Sequence, residues 1–295
     1  MEYYPYALQF PFTKTILNFR ELTCYEQLLL CKINNTLPST SEYRTDYLEV
    51  LIELLQSTLK NKSKINDLDI IEFLMFTIRL RCVSINSFIE FAVEGNDEKN
   101  KKIKFDLHNL LKNVYNTGQI LHEYDTIESE DTLIKLKWPD LSGEYHFLNL
   151  IDKDNTEKFL STMCEFVDFI KIKDNTFIFK SLDTKQRKEL FDLLPVSLQN
   201  IIQTNIVSLL QKISDEPLFE LQEFSNYKFE FYNSTIQDII RFVFANNENS
   251  LMVENVFLIG KGFTLNDLNT MSPVTKQNYI NHFTEQDNNK GDTVQ

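Results

Sequence analysis

Side-chain chemistry needs titratable or nucleophilic groups at fixed spacing, and this chain offers few. Its four histidines are His108, His122, His146 and His282. No two stand three or four residues apart and none lies in an H-E-x-x-H helix, so no metal-ligand spacing is present. Glu128, Glu130 and Asp131 form an acid cluster between two expected strands. Paired carboxylates can serve as acid and base, which with a distant histidine would suit a hydrolase or nuclease of unfamiliar type. A solvated turn accounts for the same three residues. The cysteines, Cys24, Cys31, Cys82 and Cys164, form no C-x-x-C pair and read as reduced thiols packed as small hydrophobes. With six glycines there is little scope for a phosphate-cradling loop, and no G-x-x-x-x-G-K-[ST] or G-x-G-x-x-G occurs. The expectation is a protein that is not an enzyme, with no catalytic, cofactor-binding or metal residues.

Composition bounds the partners. The formal charge is −13, which repels phosphate backbones and argues against nucleic acid. Solubility accounts for that charge, and a cationic protein partner is the sharper reading. Hydrophobic residues make up 42% of 295, with 24 Phe and 12 Tyr, enough for a sizeable core. No run approaches the ~20 apolar residues of a membrane span. Met1 to Phe10 has neither a basic n-region nor an apolar h-region, so no signal peptide is expected.

The positioning elements are set by periodicity and capping. Residues 1–20 are aromatic and extended, read as a strap over the core, with an exposed docking arm as the other option. Thr23 with Glu26 forms a capping box that opens a helix to Ile33. A second helix spans about Tyr43–Leu59. A third starts near Asp67 with Ile71, Leu74, Met75 and Ile78 as its buried stripe. Arg79 and Arg81, two apart, point in different directions. Alternation at Phe88–Glu94 and again at Ile103–Leu107 predicts a β-hairpin. A second β-like pair is read at Ile120–Ile127 and Thr132–Trp138. Trp138 is read as core, with an interface anchor as the other option. Phe159, Met163, Phe166 and Ile170 predict a helix over Thr156–Ile172. A short strand at Thr176–Lys180 and helices at Asp183–Leu193 and Val196–Ile213 come next, then a hairpin of Pro217–Leu221 with Tyr227–Phe231.

Helices close the chain. Ser234 with Gln237 caps Thr235–Ala245, Gly260 is the expected C-cap of Leu251–Ile259, Thr264 with Asp267 forms a capping box, and Ser272-Pro273 starts the last helix. Phe257, Phe263, Leu265, Leu268, Met271, Tyr279, Ile280 and Phe283 exceed what a small helical hairpin can hide. They either dock on the main body or form a partner-binding surface. In the second case Tyr279 and Phe283, four apart on one helix face, stay exposed beside a groove.

The expected fold is α+β, a mainly α-helical body with a small antiparallel β insertion. Its parts are an N-terminal strap and helices at 1–85, a β subdomain at 86–150, a helical part at 151–285 packed on the first, and a frayed tail at 286–295.

One set of motifs carries a resemblance by its order. Phe19-Arg-Glu-Leu-Thr-Cys-Tyr-Glu-Gln-Leu-Leu-Leu30 matches an F-R-x-L-T-x-x-E-x-x-L-L opening. Asp69 to Ser84 resembles a helix that starts on an acid and ends on an arginine and a serine. Phe191-Asp-Leu-Leu-Pro195 and Leu265-Asn-Asp-Leu-Asn-Thr-Met-Ser-Pro273, each followed by a helix, complete the order. Together they resemble the baseplate hub and hub-assembly proteins of T-even-type contractile-tailed phages. The turn at Glu94–Asn100 lacks the C-x-x-C knuckle of some relatives, and Ile85-Asn86 stands where a glycine is usual. The resemblance implies a tail morphogenesis protein that binds other hub, spike or tape-measure proteins without turnover. It would act in the host cytoplasm during assembly, or sit in the tail baseplate of the virion.

Overall fold

A computed structural model describes residues 3–36, 45–94, 100–122, 126–129, 131–138, 163–214, 217–220, 228–230, 236–244 and 248–291. Among them α-helices dominate and all strand pairs are antiparallel, an α+β fold.

The centre is the third helix. Strand β1 (Tyr6–Gln9) pairs with β2 (Ile16–Phe19), and helices α1 (Cys24–Thr36), α2 (Thr45–Ser57) and α3 (Ile70–Ser84) come after them. Asp69 caps α3, accepting the Glu72 N–H at 2.8 Å. Helix α3 is buried nearly all round, as its apolar residues on every face require. Phe76 meets Phe19 edge-on at 5.5 Å, which seats the β1–β2 hairpin on it. The turn of that hairpin is pinned from below. The buried Glu72 carboxylate accepts the N–H groups of Phe12 at 2.7 Å and Thr13 at 2.9 Å, and the Thr13 hydroxyl. Burial nonetheless pushes the Glu72 carboxyl above its ordinary value.

The expected capping box at Thr23–Glu26 forms, and Glu26 does more than cap. Its carboxylate takes the Thr23 N–H at 2.8 Å, both Arg20 Nη groups at 2.8 and 2.9 Å, and the Ser57 hydroxyl at 2.6 Å. One carboxylate thus joins β2, α1 and the end of α2. Burial opposes its charge, but these donors outweigh burial and hold its carboxyl below the ordinary value.

Strands β3 (Phe88–Glu94) and β4 (Asn100–Asp106) form the expected hairpin. The next segment departs from the expectation. Leu107–His122 is a helix, α4, where a β-like segment from Ile120 was expected. Leu107, Leu110, Val114, Thr117, Gly118 and Leu121 are its buried face, a helical period. Gly118 permits the approach to α3. A Cβ there would lie 2.5 Å from the Phe12 ring and 2.7 Å from the Ile71 side chain.

Strand β5 (Ile127–Ser129) opens a four-stranded sheet with β6 (Thr132–Leu136), β7 (Val167–Ile172) and β8 (Asn175–Ile178), in that order. Strand β7 replaces the second half of the helix expected at Thr156–Ile172, whose residues 156–162 lie outside the described ones. The four-three-four spacing of Phe159, Met163, Phe166 and Ile170 fits a helix, yet pairing of Ile170 with Ile134 of β6 decides for a strand. Trp138 is buried and meets Phe166 edge-on at 5.3 Å.

Next along the chain are helices α5 (Thr184–Asp192) and α6 (Val196–Ser214) and the pair β9 (Pro217–Glu220) and β10 (Lys228–Glu230). Helix α7 (Ile236–Val243) packs on α3. The chain closes with α8 (Glu248–Gly260), α9 (Leu265–Thr270) and α10 (Pro273–Gly291), all three against α1. The Cys24 N–H at the start of α1 donates to the Met271 carbonyl at 2.9 Å. Helix α10 is held to α8 through Lys276. Its ammonium is almost fully buried and pairs with Glu254 at 2.9 Å. Cys24, Cys31 and Cys164 are buried and Cys82 is half-buried, all as free thiols. Burial pushes Cys24 up to about 11 and Cys164 to about 12.

Candidate protein-docking site

The C-terminal module is built by three local signals. First, α8 ends in a Schellman motif. The Phe263 N–H donates to the Leu258 carbonyl at 3.2 Å and the Gly262 N–H to the Ile259 carbonyl at 3.0 Å. The left-handed residue is Gly262, at φ +100°, and not Gly260, which stays helical. Second, Thr264 and Asp267 form a full capping box at the start of α9. Third, Ser272 accepts the Thr275 N–H at 3.3 Å, and Pro273 takes the first position of α10. Together these fix the path of the chain and the direction of Phe263.

A groove of about 490 Å³ opens between α8, α9 and α10, lined by Lys261, Phe263, Asp267, Met271, Thr275 and Tyr279 among others. Tyr279 is 41% exposed at its edge and Phe283 is half-buried one turn later. Phe263 joins them in one ring cluster, 4.9 Å from Tyr279 and 6.2 Å from Phe283. Lys261 pairs with Asp287 at 2.6 Å beside it.

Beyond the groove, α8 carries an aliphatic strip that the sequence-based expectation does not single out. Met252, Val253, Val256 and Ile259 are exposed, Val256 to 70%. Leu258 alone on this helix is fully buried. The helix is apolar on several faces, so its sequence does not tell which of them is left in water, and the exposed one offers a contact surface.

The other candidates fall elsewhere. Glu128 and Asp131 are exposed at the β5–β6 turn, with Asp131 3.9 Å from Lys173 across a solvated pair, while Glu130 lies outside the described residues. His122 Nε2 bonds the Asp69 carboxylate at 2.7 Å and stacks on Phe12 at 4.3 Å. His108 and His282 are exposed, and His146 lies outside the described residues. Among the described residues no three His, Cys, Asp or Glu groups come together as a metal site. No helix among them is long and apolar enough to cross a membrane.

The family described as the T4 bacteriophage base plate protein matches residues 1–216. The chain belongs to that family, the T4-type baseplate proteins, as the ordered motifs implied. Neither the curated proteins nor the solved structures provide a match. The role that the family implies is structural or in assembly of the phage baseplate, among other baseplate proteins. The C-terminal helices at 248–291 lie beyond the matched stretch.

Proposed function

We propose that this chain is a baseplate hub component or a hub-assembly chaperone. It acts by stoichiometric binding, without catalysis, on hub, spike or tape-measure proteins of the same tail. It works in the host cytoplasm as the tail is built, and a retained copy would sit in the virion baseplate. The partner-binding surface is the C-terminal module, with Tyr279 and Phe283 at the groove and the α8 strip beside them. The observation that carries this reading is the pairing of baseplate family membership over residues 1–216 with an exposed aliphatic helix face outside that stretch. Exposed contiguous apolar surface marks interaction sites. Co-expression with each tail protein of the same phage, followed by affinity capture, tests it. Capture of a hub, spike or tape-measure protein in fixed ratio is the expected result. Capture of none of them overturns the reading.

A further inference from the structure

The polar groups of the groove suit one kind of guest. Asp267 is exposed, and its Oδ2 takes the Thr264 N–H at 2.9 Å and hydroxyl at 2.6 Å. Its Oδ1 receives no hydrogen bond from the described residues. On the same lining, Tyr279 is 41% exposed and its ring is braced by Phe263 at 4.9 Å. The lysine of the lining does not neutralise this pair, because both Asp287 oxygens hold its ammonium at 2.6 and 2.9 Å.

That lysine shows what the cluster does with a cation. Lys261 Nζ lies 5.4 Å from the Phe257 ring centre and 5.8 Å from that of Phe283, with Asp287 closing the other side. Aromatic faces plus a carboxylate make a cation site. Tyr279 with Asp267 repeats the same pair of group types, on the groove side and open to solvent.

We propose that the groove receives an arginine side chain from a basic segment of a partner protein. The guanidinium stacks on Tyr279 and donates to Asp267 Oδ1. Arginine suits the site better than lysine. Its plane matches the ring, its fork reaches a carboxylate while stacked, and it is more weakly hydrated. The net charge of −13 draws a basic segment in and opposes a second copy of this chain as the guest. The inference rests on the reading of the module as a docking surface and names the chemistry of its partner.

The test titrates the full-length protein with a fluorescent Gly/Ser octapeptide carrying two arginines, and with its two-lysine twin. The arginine peptide is expected to bind at least ~fivefold tighter than the lysine peptide. Tyr279→Ala and Asp267→Asn should each weaken it about tenfold, and Tyr279→Phe by no more than about twofold. Asparagine keeps an acceptor for Thr264, so the capping box is largely retained. Equal binding of the two peptides, or arginine-peptide binding indifferent to Tyr279→Ala, overturns the inference. So does a self-association lost in Tyr279→Ala with no response to either peptide. The same variants in the tail-protein capture separate the two readings. A partner held equally by Tyr279→Ala and wild type sinks the arginine site and leaves docking standing, whereas absence of any captured partner sinks docking itself.

Discussion

Arg81 is a buried charge in the core. It is only 3% exposed, and its Nη2 reaches the Phe88 carbonyl at 3.3 Å and Asn86 Oδ1 at 3.4 Å. Its Nε and Nη1 are buried without a hydrogen-bond partner among the described residues. Desolvation pulls the guanidinium down to about 10. Buried donors left unsatisfied cost about 1–3 kcal/mol. Arg81→Met is therefore expected to raise the urea midpoint by that order without changing the m-value. A lower midpoint would show that the two long hydrogen bonds outweigh the desolvation. Spacing tells only that Arg79 and Arg81 diverge; which of them is buried depends on elements far away in sequence. Gly118 is the converse case. Alanine there gains helix propensity of about 1 kcal/mol, but its methyl meets Phe12 and Ile71 at 2.5–2.7 Å. Net destabilisation of roughly 1–3 kcal/mol is expected from overpacking, read by the same denaturation. An unchanged midpoint would mean that the Phe12 loop moves aside freely.

At the scale of elements, structure encoded by neighbours in sequence is legible there, and structure decided by distant partners is not. The boxes at Thr23–Glu26 and Thr264–Asp267 form as expected, because three residues suffice to make them. The hairpin β3–β4 is equally local. Strand β7 reads as helix by its spacing, because its pairing with β6 joins residues more than about thirty apart and tertiary pairing overrides local pattern. Helix α4 carries its period in Leu110, Val114 and Leu121, a local signal that the strand alternation before it masks. Of the docking site, Tyr279 and Phe283 are readable from helical spacing. The α8 strip is not, since only the packed structure tells which apolar face is left in water. Glu26 gives the clearest pH dependence. Its folded value is lowered, so its contribution is present above the ordinary value of 4.5 and is lost as pH falls through the folded value. Glu26→Gln should lose roughly 2–3 kcal/mol at pH 7 and show a shallower fall in stability below pH 4.5 than wild type, by thermal melts across pH. Parallel curves for the two proteins would move the acid sensitivity elsewhere. Gly262→Ala strains a left-handed turn at φ +100° and should cost about 1–2 kcal/mol while redirecting Phe263.

For the whole molecule, we propose the divisions at 85/86 and 150/151 as topological units of one cooperative body, while helix α10 continues across 285/286 to Gly291. The sheet β5–β8 pairs residues of 127–136 with residues of 167–178, and Cys24 and Met271 share a hydrogen bond. Fluorescence of the single tryptophan, Trp138, and far-ultraviolet circular dichroism should then give coincident unfolding transitions. A separate early transition in dichroism alone would make the C-terminal helices an independent unit. The central claim is that this baseplate-family chain works by docking through that module. The most direct measurement combines capture of the tail-protein partner with the melting temperature for Tyr279→Ala/Phe283→Ala. Both rings lie at the surface cluster with Phe263, so their loss should shift the melting temperature by no more than about 4 °C. Binding of the partner should be lost. Full binding by the variant, or a collapse in melting temperature that marks the two rings as core, would contradict the account.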